Sequence, residues 1–289
     1  MSEADFLNLN TQALHDRFGI QVHDVDLCVL DVNALDAILR AWQAHPLVLF
    51  RKQVITEHNL VALAQYFGTL HVPDQTNPAS PRLAGVMYVS NLKTEEGERL
   101  GGLGSAELSW HTDQSYRETP ATGSIFHAIE MPTGIGKMQW CNTQLAYEAL
   151  PAPLQARISS LQALSRYNAY EREKISDQEK RRLRDRHPPV SHPLVLTHPV
   201  SGEKCLYLDI STAYGVEGMD EMESRLLLDE LASVMTRPEF IFTHEWRPGD
   251  VMLWDNARLC HRRESFDGRH PRLAKRVSVF LDRTAFPCP

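Results

Sequence analysis

A mostly β fold with added helices is what three features of this 289-residue sequence predict. Short apolar runs bounded by turn residues recur along it, as strands do. Helical patterns cluster early, near 31–67, and return late, near 151–164 and 220–236, without the regular alternation of a parallel sheet. The tail from 240 to 281 reads as strand throughout. Together these fit a double-stranded β-helix, or jelly-roll, core with flanking and inserted helices. The length and 43% hydrophobic content suffice for one large domain, and no Pro/Ser/Gly-rich seam divides residues 1–289, so a single domain is expected.

Alternation over Ile20, Val22, Val25, Leu27 and Val29 predicts a strand across 20–30. Leu35, Ile38, Leu39 and Trp42 then follow helical spacing, with Asp31 or Asn33 as N-cap, and Pro46 marks the end. Leu47-Val48-Leu49-Phe50 is a short apolar strand. Thr56 can cap a second helix through Leu60, Leu63, Ala64 and Phe67, which Gly68 can terminate. A strand is expected over 85–91. Residues 92–107, rich in glycine and polar groups, read as a mobile loop or lid; Gly101-Gly102-Leu103-Gly104 lacks the residues of a phosphate cradle. Gly123–Glu130 is a further strand ended by Pro132-Thr133-Gly134, and Pro151 and Pro153 open a helix expected to run through Leu164.

Residues 168–189 form a charged insert; Glu171–His187 alone holds five acids and seven Lys/Arg. In 190–200, His192-Pro193 and His198-Pro199 hold their histidines extended on an irregular strand. Residues 205–210 read as strand, and 220–236 as a helix bearing Met222, Leu226, Leu227, Leu231 and Val234. Three strands close the chain: 240–246, 250–254 and 276–281.

A net charge of −7 and a pI near 6.0 argue against nucleic-acid partners. No apolar run approaches the ~18 residues of a membrane span, and the acidic Met1–Asp5 start is no signal peptide. Five scattered cysteines (Cys28, Cys141, Cys205, Cys260, Cys288) with no Cys-x-x-Cys suit reduced thiols in a cytoplasm. A cytoplasmic protein with a small-molecule partner is expected, and homo-oligomerisation is left open.

Function is expected to turn on Trp110-His111-Thr112-Asp113-Gln114-Ser115-Tyr116. On an extended strand His111 and Asp113 point to one face, because strand side chains alternate. They supply two thirds of a 2-His-1-carboxylate metal site. Alone the pair says little, since thirteen histidines make one His-x-Asp easy to meet by chance. His261, between the strand ending Met252-Leu253-Trp254-Asp255-Asn256 and the last strand, can complete a triad. Such a triad leaves three adjacent octahedral positions open, room for a chelating co-substrate and dioxygen. Eleven residues later Arg272 can grip a carboxylate with its planar fork.

His111-Thr112-Asp113, Trp246-Arg247-Pro248-Gly249-Asp250, Trp254-Asp255-Asn256, His261 and Arg272 together resemble the taurine and 2,4-dichlorophenoxyacetate dioxygenases, the TauD/TfdA family. The resemblance runs from about Leu47 to Leu281. It takes in Tyr147-Glu148-Ala149-Leu150-Pro151 and Thr197-His198-Pro199-Val200-Ser201-Gly202. It implies a jelly roll that binds Fe(II) through His111, Asp113 and His261, and the distal carboxylate of 2-oxoglutarate through Arg272. By the same resemblance, O2 oxidises 2-oxoglutarate to succinate and CO2 and a substrate C–H bond is attacked. Halogenating relatives lack the carboxylate ligand, so Asp113 points to hydroxylation, desaturation or oxidative cleavage. Members acting on sulfonates use a His in a Gly-x-Leu-His segment and an Arg four residues past the co-substrate arginine. Here these are His71 and Arg276. Without the resemblance, His71 reads as a solvated loop residue and Arg276 as the partner of an acid on a neighbouring strand.

Two positions depart from the family. Its Gly-Gly-Asp-Thr, whose Thr donates to 2-oxoglutarate, is replaced by Ile135-Gly136-Lys137-Met138, and a thioether donates no hydrogen bond. The family Asn four residues before the first ligand His falls on Glu107, which would repel a sulfonate and welcome an amine. The expected substrate is therefore a small anionic or zwitterionic, amino-acid-like molecule. Two rival readings remain at this stage: a zinc hydrolase using the same triad with Glu107 or Glu130 as general base, and a non-catalytic jelly-roll binding protein.

Overall fold

The computed structural model describes residues 9–72, 83–167, 176–198 and 200–281. The first stretch forms β1 (Asn10–Ala13), β2 (Ile20–His23), α1 (Val32–Ala44), β3 (Leu47–Phe50), α2 (Glu57–Phe67) and β4 (Gly68–Leu70). The strand expected over 20–30 stops at His23. Asp24 turns the chain with φ 59°, the Asp26 carboxylate accepts the Cys28 amide at 2.8 Å, and Val29 is left 77% exposed. Asp31 caps α1 by accepting from the Ala34 amide at 2.8 Å. In α2, Thr56 and Asn59 cap each other reciprocally. Gly68 ends α2 in an extended conformation, φ 174°, and runs straight into β4.

The next stretch holds β5 (Val86–Ser90), β6 (Gly102–Leu103), β7 (Leu108–His111), β8 (Gly123–Glu130), β9 (Met138–Asn142), α3 (Thr143–Glu148), α4 (Ala152–Ile158) and β10 (Gln162–Ser165). The helix expected to reach Leu164 ends at Ile158, because from Gln162 burial alternates with the period of a strand and β10 pairs with β11. The charged stretch contributes α5 (Asp177–Arg186); its first part, 168–175, lies outside the described residues. After it come β11 (Val190–Pro193), β12 (Val195–Thr197), β13 (Lys204–Leu206), β14 (Ala213–Val216) and α6 (Glu221–Met235). The strand expected over 205–210 is thus shorter. On α6, Met222 and Leu226 face outward, and burial falls to Leu227, Leu228, Leu231, Val234 and Met235. The chain closes with β15 (Ile241–His244), β16 (Val251–Asp255), β17 (Leu259–Arg263) and β18 (Leu273–Leu281).

Among the described residues, nine strands form one sheet in the order β1-β2-β3-β16-β8-β18-β5-β6, with β4 added on β18. Four others form a second sheet, β15-β9-β17-β7. Leu49, Phe126, Met252 and Trp254 of the large sheet share an apolar cluster with Trp140, Cys141, Leu259 and Cys260 of the small one. Their chain neighbours Val48, Phe50, Ile125 and Leu253 turn to the opposite face and pack with α1 and α2. Period-two alternation on strands buried on both faces explains why β3 and β16 read as unbroken apolar runs. Each large side chain so buried contributes about 1.5–3 kcal/mol. Among the described residues no helix is long and apolar enough to cross a membrane.

Candidate active site

β7 and β17 run antiparallel with His111 directly opposite His261, their rings 4.2 Å apart between centroids. Alternation predicts that Asp113 shares a strand face with His111, but β7 ends at His111, so it does not. It arrives by a turn in which Gln114 takes φ 63°. The result is still convergent: one ligand atom from each of His111, Asp113 and His261 lies within 4.8 Å of the others.

Each donor is fixed. The Nδ1 of His111 lies 2.7 Å from the Ser109 carbonyl oxygen. A carbonyl only accepts, so Nδ1 carries the proton and Nε2 keeps its lone pair. Asp113 accepts from Ser124 Oγ and from Arg276 Nη1, both at 2.7 Å. Burial alone would raise its pKa; the Arg276 charge and the hydrogen bond from Ser124 reverse that and hold it well below the usual carboxylate range. Burial, with His111 beside it, pushes the pKa of His261 well down and keeps the ring neutral, the form that binds metals.

The turn carrying Asp113 is clamped by Asp209, between β13 and β14, and by His192 of β11. Asp209 Oδ2 accepts from the Thr112 amide at 3.2 Å and from Ser115 Oγ at 2.6 Å. Its Oδ1 accepts from the Ser211 and Thr212 amides. His192 Nε2 donates to the Ser115 carbonyl at 2.7 Å. The sequence reading missed Asp209 and Ser124; the signal for Asp209 was a lone acid closing the apolar run Leu206-Tyr207-Leu208.

His111 and His261 open onto a cavity whose wall also includes Met138, Arg263, Arg272 and Arg276. Arg272 is 1% exposed and donates from Nη1 to the Gly136 carbonyl at 2.8 Å, while its buried Nε and Nη2 have no hydrogen-bond partner among the described residues. Burial and the nearby Arg263 lower its pKa to about 9. Gly136, at φ +62°, lets the two approach: a Cβ there would lie 3.0 Å from Phe266 and 3.1 Å from Arg272. Two imidazoles and a carboxylate suit a divalent first-row metal, and the open N–H groups of Arg272 suit a carboxylate.

His71 and Glu107 are not on this wall. His71 is buried, with Nδ1 3.0 Å from Gln114 Nε2, one residue beyond Asp113, whereas Glu107 is exposed. Glu130 is exposed as well. Residues 92–107 form a folded segment here: Thr94 and Glu98 close a turn, Lys93 bridges Arg99, and β6 adds to the sheet beside β5. Leu103 and Leu108 bring it to the cavity.

A family model described as "Taurine catabolism dioxygenase TauD, TfdA family" matches residues 10–278. The chain belongs to this family. Among TauD/TfdA relatives, it is 30% identical to the alpha-ketoglutarate-dependent 2,4-dichlorophenoxyacetate dioxygenase of Cupriavidus pinatubonensis, over 93% of this chain and 96% of that one. It is 28% identical to the alpha-ketoglutarate-dependent sulfate ester dioxygenase of Pseudomonas putida, over 94% and 90%. The crystal structure of AAD-2 in complex with Mn(II) and N-oxalylglycine superposes with a TM-score of 0.77 at 29% identity, covering 96% of this chain and 98% of that one. As a TauD/TfdA protein the chain is mostly β with few helices, in keeping with its structural neighbours.

Proposed function

We propose that this chain is an Fe(II)- and 2-oxoglutarate-dependent dioxygenase that oxidises a C–H position of a small anionic or zwitterionic substrate, releasing succinate and CO2. One observation carries the reading: the two histidines of a three-ligand group and a buried, incompletely bonded Arg272 face the same cavity. In this reading His111, Asp113 and His261 hold the metal and Arg272 receives the distal carboxylate. Bound together, metal and 2-oxoglutarate supply the activation of dioxygen that oxidises the substrate. The chain's own residues orient and exclude water. Ser109 sets the His111 tautomer, and Ser124 and Arg276 hold Asp113 as an oriented anion. Arg276 keeps a buried Nε without a partner, which suits it to share itself with a substrate acid. His71, through Gln114, and Glu107 serve the rim rather than the wall.

The two sheets, joined by one apolar cluster, are read as a jelly roll in one domain, with 92–107 as lid and the charged stretch that contributes α5 as an insert. Free Cys28, Cys141, Cys205 and Cys260 support a cytoplasmic setting. A zinc hydrolase lacks its base, because Glu107 and Glu130 are both exposed and off the cavity wall.

The test is succinate formation across a panel of small acids and amino acids, with Fe(II) and ascorbate or with Zn(II). Turnover is expected with iron only, and His261→Ala should abolish it in a folded protein. Zinc-dependent hydrolysis, or no 2-oxoglutarate turnover with any substrate, would overturn the proposal.

A further inference from the structure

β9 and β17 pair antiparallel in a register that sets Arg263 directly opposite Met138. Both side chains belong to the cavity wall. Arg263 is 1% exposed; its Nη2 donates to the carbonyl oxygens of Leu103 and Ala106, while Nε and Nη1 are buried with no hydrogen-bond partner among the described residues. The guanidinium carbons of Arg263 and Arg272 lie 5.5 and 5.7 Å from the centroid of one ring, Phe266. Among the described residues neither arginine has an acidic partner. Two buried cations beside one ring repel each other and are poorly solvated, so a chain gains by keeping them only where an anion enters.

Met138 explains why one arginine is insufficient. At this position the family's threonine donates to the co-substrate, and a thioether cannot. Its cross-strand neighbour is the group that can.

We propose that Arg263 is a second residue for the distal carboxylate of 2-oxoglutarate, donating one hydrogen bond from one of its free N–H groups beside Arg272 and replacing the hydroxyl that Met138 lacks. This rests on the reading of the cavity as a 2-oxoglutarate site. It makes the pocket selective for 2-oxo acids that carry a distal carboxylate. Because the same side chain holds Leu103 and Ala106, the site is closed on that side by a residue that also binds the ligand.

The experiment is calorimetric titration of the Mn(II)-loaded full chain with 2-oxoglutarate and with 2-oxobutyrate, which keeps the chelating end and lacks the distal acid. Arg263→Met should weaken 2-oxoglutarate at least about tenfold, the loss of a charge-assisted hydrogen bond, and leave 2-oxobutyrate unchanged. Met138→Thr should recover about threefold in the Arg263→Met background and little in the wild type. If Arg263→Met does not fold, Arg263→Gln, which removes the charge but keeps a polar side chain, carries the same comparison. Equal losses for both ligands, or no recovery by Met138→Thr, would make Arg263 a clamp for the covering segment only and overturn the proposal. Arg272→Met separates the two levels. If it abolishes 2-oxoglutarate binding while Arg263→Met does not weaken it, only the role of Arg263 falls; if neither weakens it, the co-substrate reading of the cavity falls.

Discussion

Arg272 shows how much of the chemistry one side chain carries. It is buried beside a second cation, with Gly136 as the only hydrogen-bond acceptor of its side chain among the described residues, and it stays charged because a guanidinium whose pKa is lowered to about 9 is still protonated at neutral pH. A carboxylate in the cavity would satisfy Nε and Nη2 at once, in the bidentate geometry that a guanidinium matches and an ammonium does not. Removing one partner of such a buried pair costs roughly 2–5 kcal/mol. Arg272→Ala should therefore raise the apparent 2-oxoglutarate constant by well over tenfold, and Arg272→Lys should recover only part of it. An unchanged constant in Arg272→Ala would remove the residue from the site. Gly136 belongs to the same few ångströms: any side chain there presses on Phe266 and Arg272 in a backbone conformation that L residues rarely adopt.

At the level of elements, the turn after β7 depends on a segment distant in sequence. Asp209 follows Thr112 by 97 residues, yet it accepts the amide between the two ligand residues and the hydroxyl of Ser115. Asp209→Ala orphans several buried donors at roughly 1–3 kcal/mol each, and should loosen Asp113 and weaken Mn(II) binding measured by titration. Asp209→Asn, which still accepts, should lie between. Wild-type metal affinity in Asp209→Ala would make that clamp irrelevant to the centre. The same dependence explains what the sequence could and could not reveal. α1 and α2 were legible because their caps and apolar spacings are local, at Asp31 and Thr56. The short β2 and the early end of α4 were not, since a left-handed Asp24 and the pairing of β10 with β11 decide them. His111, Asp113, His261 and Arg272 stood out because chemistry-bearing residue types recur at the family's spacings. Arg263, Ser124 and Asp209 did not, because arginine, serine and aspartate hold too many structural posts for their identity alone to mark a site.

The whole molecule carries a pH dependence built from its buried titratable groups. Burial lowers the pKa of His127, His192 and His244, so the folded chain keeps them neutral. Burial would raise Asp250 and Asp255. It is outweighed by hydrogen bonds to Asp250 from His244, the Arg247 amide and Arg51, and by the Arg258 charge and His198 at Asp255, so both carboxyls sit below their ordinary value. In every case the unfolded chain binds more protons than the folded one, so stability rises with pH across the window between the two values. The histidine contribution is complete above about pH 6.5 and falls away below it; the aspartate contribution is complete above about pH 4 and is lost as pH falls further. Thermal melts should therefore show a level Tm near neutrality, a first decline below about pH 6.5, and a steeper one below about pH 4. His192→Gln keeps an N–H for the Ser115 carbonyl but cannot take up a proton, and should flatten the first decline without moving the second. A Tm that stays constant from pH 7 to 5 would mean that the buried histidines titrate alike in the folded and unfolded chain.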